Sequence, residues 1–556
     1  MIVYKRKTSF LVLPAVLLAL CFVPAGCMVG EYGVVTDNKD YYTVFYNANG
    51  GTGSMNSSVF EYGRSHSLKP NTFTMGGYTF AGWARSQDVE VEFTDRQQVA
   101  DMPLDGSRRV DLYAKWGIPV PETTLAQKLA WLQANAESGG VYVCDVTADE
   151  SLIPYTLSYS GRSDISVTIR GSGGQRVSLS LSSAGAMFTI GDGVTLVLDR
   201  DITLKGKSDN RNALVVVDTS SSKLVMNAGA KITGNTNPIS NIASYILGGG
   251  VRIEEGGTFT MNGGEISNNQ AFYGGGVFVT TGSYFNMYGG TVSRNTAKVG
   301  NEVYAYTSSP SPSYFNMHGG TVSSVNLSFS CFNMYGGTVS GGGVYVGESS
   351  SFNMYDGTVT GSTVTGVFGG GGVYINGSSF NMYGGTISGN TGEYGGGVQV
   401  YAHSYFNMYG GTVSGNTATD GGGVYVGESS YFNMHGGTVS GNTAKGNGGG
   451  VCVYGPTYLS SYFNMYSGTV SGNRATGDGG GVYVHGVDYF RISNGVVYGS
   501  DVAGNLANTA GTNATLALYD NGDYHGVAQH GIFDSNGDFT SRGDIPSTSK
   551  TIRVKN

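Results

Sequence analysis

The chain has 556 residues, of which 92 are glycine and only 12 proline; 13% are charged, and the formal net charge is −8. Hydrophobic residues make up 40%, which is enough to build a core. This composition excludes collagen and a proline-rich linker, and the lack of a long basic run argues against a nucleic-acid partner. Tyrosine is common, at 38 residues, and much of it recurs at regular intervals.

Residues 1–26 have the pattern of a signal peptide. Three cations, Lys5, Arg6 and Lys7, precede the apolar run FLVLPAVLLALCFV, which is too short to span a bilayer comfortably. The run ends in PAGC, which resembles a bacterial lipobox, although Pro24 stands where such motifs usually carry leucine. The resemblance implies that Cys27 is acylated and anchors the chain in the outer membrane. The alternative is simple secretion with an unmodified Cys27.

The other cysteines indicate neither a disulfide framework nor a metal site. Beyond the leader and Cys27, only Cys144, Cys331 and Cys452 remain, widely scattered and odd in number. We therefore expect a fold that is held by packing alone and that needs no cofactor.

After a tether at 27–39, residues 40–117 are predicted to form a small β domain. The phrases YYTVFYNANGG, GGYTFAGW and RRVDLYAKW alternate aromatic or β-branched residues with polar ones, as the strands of a half-buried sheet do.

These phrases closely resemble the internalin-type B-repeat of bacterial surface proteins. The resemblance implies a compact, non-catalytic, β-grasp-like module of the cell envelope. We expect Trp83 and Trp116 to pack in its core rather than to form a ligand site. The residues that carry it are Gly77, Tyr78, Phe80, Gly82, Trp83, Tyr113, Ala114, Lys115 and Trp116.

Residues 118–139 are predicted to hold a linker and a capping helix. GIPVPE reads as a rigid connection, and TLAQKLAWLQANA then places Leu125, Leu129, Leu132 and Ala136 on one helical face. An amphipathic helix before a run of short strands can cover the open edge of a stacked sheet.

One phrase recurs through residues 140–505. Successive copies are 17 to 31 residues apart, so the period is about 26 with loop insertions. Each full period holds three strand-like phrases, GGGVYV, YFNMY and GTVSGN, and the 17-residue step is interpreted as a coil without the GGGV strand. The phenylalanine of the phrase stands at 259, 285, 315, 332, 352, 380, 406, 432, 463 and 490.

Short strands with glycine corners and no intervening helix predict an all-β chain built as a right-handed parallel β-helix of about 26-residue, three-strand coils. In YFNMY, phenylalanine and methionine are two residues apart and should point inward, so that tyrosine and asparagine point outward. In GGGVYV the valines should point inward and the tyrosine outward. The Gly-Asn pair of GTVSGN is expected to turn a corner. Residues 506–556 lose the phrase and are predicted to cap the last coil.

Catalysis is not expected from this pattern. Polysaccharide-cleaving β-helices need clustered carboxylates, and two acids in register on neighbouring coils would lie about 5 Å apart. Instead, Glu348 and Glu428 share a repeat position three coils apart, and Asp420 and Asp478 share one two coils apart. No metal-ligand spacing is present either.

A row of aromatic residues is the candidate binding face. Tyr335, Tyr355, Tyr383, Tyr409 and Tyr466 follow NM in successive coils, with His435 in the same row. Such a row can bind a host-matrix protein or a glycan, or it can simply stiffen the sheet through stacked rings.

The GGGVYV phrase resembles repeats of autotransporter-type adhesins and polymorphic outer-membrane proteins. The leading hypothesis is therefore a non-catalytic, surface-exposed adhesin or interaction protein. The alternatives are a polysaccharide-binding or polysaccharide-cleaving β-helix and a purely structural rod. The oligomeric state does not follow from the sequence.

Overall fold

The computed structural model describes residues 41–497 apart from short gaps, together with the backbone of a few later strand residues. The signal peptide, the tether and Cys27 lie outside the described residues, as does most of the predicted C-terminal cap. The gaps are 63, 88–90, 100–101, 103–107, 237–246, 309–310, 365–369, 456–458, 486–488 and 493–495.

The first part of the chain is a small β domain with a mixed four-stranded sheet. Its strands are β1 Tyr41–Asn47, β2 Ser58–Glu61, β3 His66–Ser67, β4 Thr79–Ala84, β5 Gln98–Val99 and β6 Arg109–Pro119. β1 pairs antiparallel with β2 and parallel with β6, and β6 pairs antiparallel with β4. β3 and β5 form a separate antiparallel pair.

Both tryptophans of this domain serve its core, as predicted. Trp83 is fully buried, and its ring lies 5.1 Å from that of Tyr46 and 4.9 Å from that of Phe80. The indole nitrogen of Trp116 donates a hydrogen bond of 2.9 Å to the carbonyl oxygen of Ala48. Trp83 is therefore enclosed in the core, and Trp116 is half-buried and packed against it.

The β domain and the repeat region share a sheet. β6 runs on to Pro119, into the predicted linker, because Ile118 pairs in parallel with Tyr142 of the first coil. Arg170, which is buried, ties the two parts together. It bonds to Asp145 at 2.6 Å within the coils and to the carbonyl oxygen of Phe80 at 2.9 Å in the β domain.

The helix α1, Leu125–Asn135, covers the open start of the coils. Thr124 caps it in a reciprocal capping box with Gln127. The four apolar residues of its predicted face are all buried in one continuous core with the coils. Glu150 of the first coil accepts a bond from the backbone nitrogen of Leu125 at 2.9 Å, which fixes the helix N-terminus against the strands.

The repeat region is a parallel β-helix, as predicted, in which each coil contributes one strand to a first parallel sheet. The repeated phrase YFNM forms most of these strands, and each pairs in register with the same phrase in the next coil. The strands of the first sheet are Val141–Val146, Ile165–Gly171, Val194–Leu198, Lys223–Met226, Thr258–Met261, Tyr284–Met287, Tyr314–Met317, Cys331–Met334, Ser351–Met354, Ser379–Met382, Tyr405–Met408, Tyr431–Met434, Tyr462–Met465 and Tyr489–Ile492.

The second parallel sheet takes two further strands from most coils. The TVS-type strands are Glu150–Leu152, Val177–Leu181, Ile202–Lys205, Lys231–Thr233, Glu265–Ser267, Thr291–Ser293, Thr358–Thr360, Thr386–Ser388, Thr412–Ser414, Thr438–Ser440, Thr469–Ser471 and Val496–Tyr498. The VYV-type strands are Tyr155–Leu157, Phe188–Ile190, Val215–Val217, Val251–Ile253, Val277–Thr280, Val303–Tyr306, Val373–Asn376, Val398–Tyr401, Val424–Val426, Val451–Val453, Val482–His485 and Leu516–Tyr519.

Two coils fuse these strands, which corrects one prediction. In Thr321–Ser328 and Thr338–Gly347 the TVS-type strand runs directly into the VYV-type strand. The 17-residue step therefore does not lack its third strand, because Val325 and Leu327 pair with Val344 and Val346 of the next coil. What that coil lacks is the glycine-rich insertion between the two strands.

Insertions elsewhere form short strands outside the two large sheets. Gln270–Tyr273 pairs with Thr296–Val299. A four-stranded sheet holds Thr417–Ala418, Thr443–Ala444, Arg474–Ala475 and Leu506–Ala507. Near the end of the chain, Ile532–Phe533 pairs with Phe539–Ser541, and Thr551–Arg553 pairs antiparallel with Val496–Tyr498.

The core consists of columns of identical side chains. Phenylalanine rings of successive coils stack face to face with centroids 4.6–4.9 Å apart, close to the normal strand spacing. The methionines two residues later form a second buried column. The inward placement of phenylalanine and methionine predicted from YFNMY is therefore confirmed.

The tyrosine of GGGVYV points outward, as predicted, but it is buried at Tyr374, Tyr425 and Tyr483 rather than exposed to solvent. Tyr425 is 8% exposed and packs with Tyr394, Cys452 and Tyr483. Tyr394 lies in the glycine-rich insertion of the preceding coil, so the insertion folds back over this face. Strand alternation gives the direction of the side chain correctly, but the insertion covers it.

The Gly-Asn pair also differs from the prediction, because only its glycine makes the turn. Gly415 has a φ of +65°, whereas Asn416 is fully buried. Its amide nitrogen donates to the carbonyl oxygen of Ile387 and to Oδ1 of Asn442, both at 3.0 Å. Its own Oδ1 accepts from the backbone and side-chain nitrogens of Asn390. These asparagines form a buried hydrogen-bonded column that stabilises the corner.

We expect Asn416→Ala to lower the free energy of unfolding by about 3 kcal/mol, because it leaves buried backbone and amide groups without partners. The matched control is Asn407→Ala in the same coil. Asn407 is only half-buried and bonds to two neighbouring asparagine side chains, so its loss should cost about 1 kcal/mol. Chemical denaturation measures both, and equal losses would contradict the assignment of the inner column.

Candidate functional site

The outer face of the first sheet carries three columns of side chains, because alternate residues of each YFNMY strand point away from the core. Each column runs through eight coils. The leading column is Tyr284, Tyr314, Cys331, Ser351, Ser379, Tyr405, Tyr431 and Tyr462. The Asn column is Asn286, Asn316, Asn333, Asn353, Asn381, Asn407, Asn433 and Asn464. The Tyr–His column is Tyr288, His318, Tyr335, Tyr355, Tyr383, Tyr409, His435 and Tyr466.

The structure brings the five predicted tyrosines, Tyr335, Tyr355, Tyr383, Tyr409 and Tyr466, into the Tyr–His column. All five are between 43% and 47% exposed. Neighbouring rings of the whole column have centroids 4.6–5.0 Å apart and are nearly parallel. The predicted row omits Tyr288 and His318, although the phrases NMY and NMH mark both of them.

The stacking determines what this column can offer to a ligand. Each inner ring is covered on both faces by its two neighbours, so a sugar ring cannot stack on Tyr355 or Tyr383 without displacing a neighbour. Ring edges and phenol hydroxyls remain available. Stacked rings of this kind can stiffen a sheet, and the column offers a ligand ring edges and hydroxyls rather than ring faces.

The Asn column adds a second regular array between the aromatic ones. From Asn316 onward, each amide nitrogen donates to the Oδ1 of the asparagine in the preceding coil at 2.8–2.9 Å, as Asn407 does to Asn381. An asparagine amide has two donor hydrogens and an oxygen with two lone pairs. Asn381 and Asn407, which bond only to the asparagines above and below them, therefore keep hydrogen-bonding capacity for a ligand. The amide nitrogen of Asn353 donates both to the asparagine of the preceding coil and to Sγ of Cys331 and has no donor hydrogen left.

The face carries no formal charge at neutral pH over these eight coils. No lysine, arginine, aspartate or glutamate belongs to the three columns. Burial and the neighbouring Tyr355 and Tyr409 raise the pKa of Tyr383. Burial raises the pKa of the Cys331 thiol and lowers that of the His318 imidazole, so both groups stay neutral. Ligands of this face should therefore be recognised without ion pairing.

Three of the carboxylates considered for catalysis, Glu348, Glu428 and Asp420, accept hydrogen bonds from the protein itself. Glu348 accepts a hydrogen bond from the Ser328 hydroxyl at 2.6 Å, and Glu428 accepts one from the Tyr401 hydroxyl. Asp420 accepts from the backbone nitrogen of Asn447 at 2.7 Å. Among the described residues, no three histidine, cysteine, aspartate or glutamate side chains come together as a metal site would require.

The fold and its outer face define a β-helix with a long uncharged surface, joined to a small β domain. Residues 42–115 match the family model of the Listeria–Bacteroides repeat domain, within the range 40–117 predicted for the B-repeat. This bacterial surface-repeat domain points to an extracellular or surface protein.

No curated protein and no solved structure matches the chain. In the described part of the chain, no helix has the length and apolarity to cross a membrane.

We expect His318 to make the stability of the Tyr–His column sensitive to acid. Burial lowers the pKa of His318, so the folded protein binds the imidazole proton more weakly than the unfolded chain does. The free energy of unfolding should therefore decrease as the pH falls below about 6.5. We expect His318→Tyr, which continues the tyrosine stack, to melt at a temperature that falls less between pH 7.5 and pH 5 than that of the wild type. Thermal melts at both pH values measure this, and equal decreases would contradict it.

Proposed function

We propose that this protein is a lipid-anchored bacterial envelope protein that acts as a non-catalytic, surface-exposed adhesin or interaction protein. The observation that carries the proposal is the uncharged outer face, on which eight coils repeat the same aromatic and amide groups. A ligand that spans several coils meets the same groups at every rung. A repeated surface of this kind favours binding of extended partners over chemistry at one point.

The surface-repeat domain supports an envelope location. It precedes the β-helix, so an anchor at Cys27 would hold this domain near the membrane and direct the coils away from it. The resemblance to internalin-type B-repeats and to autotransporter-type adhesins agrees with this arrangement. Exposed tyrosines are also frequent energetic centres of protein interfaces.

The polysaccharide-cleaving alternative has less support. The acids at equivalent repeat positions are two or three coils apart, and Glu348, Glu428 and Asp420 accept hydrogen bonds from hydroxyl and backbone groups. Glu302 is buried, and its pKa is raised by burial, yet its partner is the asparagine Asn295 of the inner column. Its environment is that of a structural hydrogen-bond acceptor.

The anchor is tested by Cys27→Ser. We expect the variant to leave the detergent phase and to appear in the soluble fraction, with a mass that lacks the acyl chains. Phase partition and mass spectrometry of the mature protein measure this. Retention in the detergent phase at an unchanged mass would contradict the lipid anchor.

The exposed face is tested by replacing Tyr355, Tyr383 and Tyr409 together by serine. Cross-strand pairs contribute about 0.2–1 kcal/mol each, so the rod should lose a few kcal/mol and remain folded. We expect adhesion to host-matrix proteins to fall at least tenfold. Binding to coated surfaces is measured beside thermal melts.

The matched control replaces Thr386, Thr412 and Thr438, on the outer side of a TVS-type strand, by alanine in adjoining coils. This control should adhere as the wild type does. If the folded triple-serine variant adheres as the wild type does, the Tyr–His column is not the binding face and serves only to stiffen the sheet. Protease treatment of intact cells should also cleave the wild-type protein, and complete protection would contradict surface exposure.

A further inference from the structure

The leading column contains a gap that the Tyr–His column does not. Tyrosines occupy its rungs at Tyr284 and Tyr314 and again at Tyr405, Tyr431 and Tyr462. The three rungs between them hold only short side chains, and we call this stretch the slot. Its floor is formed by Cys331, Ser351 and Ser379.

The side chains of the slot floor are half-buried, and the slot ends at aromatic rings. Tyr314 and Tyr405 are four strand spacings apart, or about 19 Å. Tyr405 stacks on Tyr431 at 5.0 Å on one side, and on the other side it faces Ser379. Tyr405 therefore presents a free ring face to the slot, which no inner ring of the Tyr–His column does.

The slot also holds polar groups that the protein leaves available. Among the described residues, neither the Ser351 nor the Ser379 hydroxyl has a hydrogen-bond partner. Asn353 and Asn381 border the slot from the Asn column. Asn381 donates one bond to Oδ1 of Asn353 at 2.9 Å and accepts one from Asn407, which leaves it one donor hydrogen and one lone pair. The amide nitrogen of Asn353 already donates to Asn333 and to Cys331, so Asn353 keeps only acceptor capacity. On the other side, the turn before Cys331 exposes the ring of Phe329, which is 46% exposed.

An open aromatic face beside free hydroxyls and amides, without charge, fits one ligand chemistry. A sugar ring places its apolar C–H face on an aromatic ring and its hydroxyls against serine and asparagine. An anionic glycan would need basic residues, and the three columns contain none. A purely apolar group would leave the serine and asparagine groups without partners, which costs free energy.

We propose that the slot is a binding site for a neutral polysaccharide, in which one sugar ring stacks on Tyr405 and its neighbours along the glycan contact Ser379, Ser351 and Asn381. This inference rests on the proposed function of the protein as a surface interaction protein and names a ligand class for its outer face. It assigns glycan binding to the slot, while the edges of the Tyr–His column remain available to a protein partner.

The proposal is tested by filling the slot with two tyrosine side chains. Ser351→Tyr combined with Ser379→Tyr continues the leading column in the register that Tyr405, Tyr431 and Tyr462 already have. The new rings should stack as those at Tyr405 and Tyr431 do, at 5.0 Å, so we expect an unchanged or raised melting temperature. Affinity electrophoresis of the full chain in gels that contain dextran, β-1,3-glucan, xylan or galactomannan measures binding. We expect the wild type to be retarded in at least one gel and the filled variant to lose at least tenfold in affinity.

Two matched variants separate the site from general effects. Ser388→Tyr combined with Ser414→Tyr adds the same two tyrosines to a TVS-type strand and should retain wild-type affinity. Tyr405→Ser removes the stacking face and should lose about tenfold, whereas Tyr405→Phe should bind as the wild type does.

Three results would overturn the inference. The first is that the filled variant keeps wild-type retardation, and the second is that the wild type is not retarded in any of the gels. The third is that filling the slot abolishes self-association in sedimentation experiments and leaves glycan binding unchanged, which would make a second copy of the chain the occupant. In each case, adhesion of the wild type to matrix proteins would show that the proposed function survives without the glycan site.

Discussion

The in-register stacking of identical side chains at the strand spacing is the constraint on which the rest of the structure depends. A single coil has too little interior to bury its phenylalanine and methionine, but the next coil places the same residue directly above each of them. The same register must then apply to the outer side chains. A chain that stabilises its core by repetition therefore also produces regular columns on its surface, whether or not a ligand exists for them.

This link between core and surface explains which differences between coils are informative. A glycine such as Gly411 cannot vary, because it has a φ of +81° and a side chain there would meet the methyl group of Met382 at 2.6 Å. The outer position before phenylalanine is free to vary, and it changes from tyrosine to cysteine and serine in three consecutive coils. Because the backbone register is unchanged there, the change alters only the surface. It is for this reason that the slot, rather than the longer Tyr–His column, carries the more specific inference.

Much of this architecture could be predicted from the sequence, since a period of about 26 residues and strand alternation together determine which residues face the core. The five tyrosines of the predicted row also lie together as expected. Two features could not be derived from alternation. Tyr425 points outward and is still buried, because a glycine-rich insertion returns over it. Asn416 looks like a turn residue and forms a buried hydrogen-bonded column, which depends on the asparagines above and below it. Both depend on contacts between coils that a single repeat does not contain.

Cross-linking of neighbouring coils is the most direct test of this account. In the full chain with Cys27→Ser and Cys331→Ser, the pair Asn381→Cys and Asn407→Cys places two cysteines in register on adjacent coils. Their Cα atoms should lie about 4.8 Å apart, within the range of a disulfide. The pair Asn381→Cys and Tyr409→Cys is offset by two residues, so its Cα atoms should lie about 8 Å apart, beyond that range. We predict that mild oxidation joins the first pair and not the second, as measured by peptide mapping under non-reducing conditions. Efficient cross-linking of the offset pair, or failure of the in-register pair, would contradict the stacked register and the surface columns that follow from it.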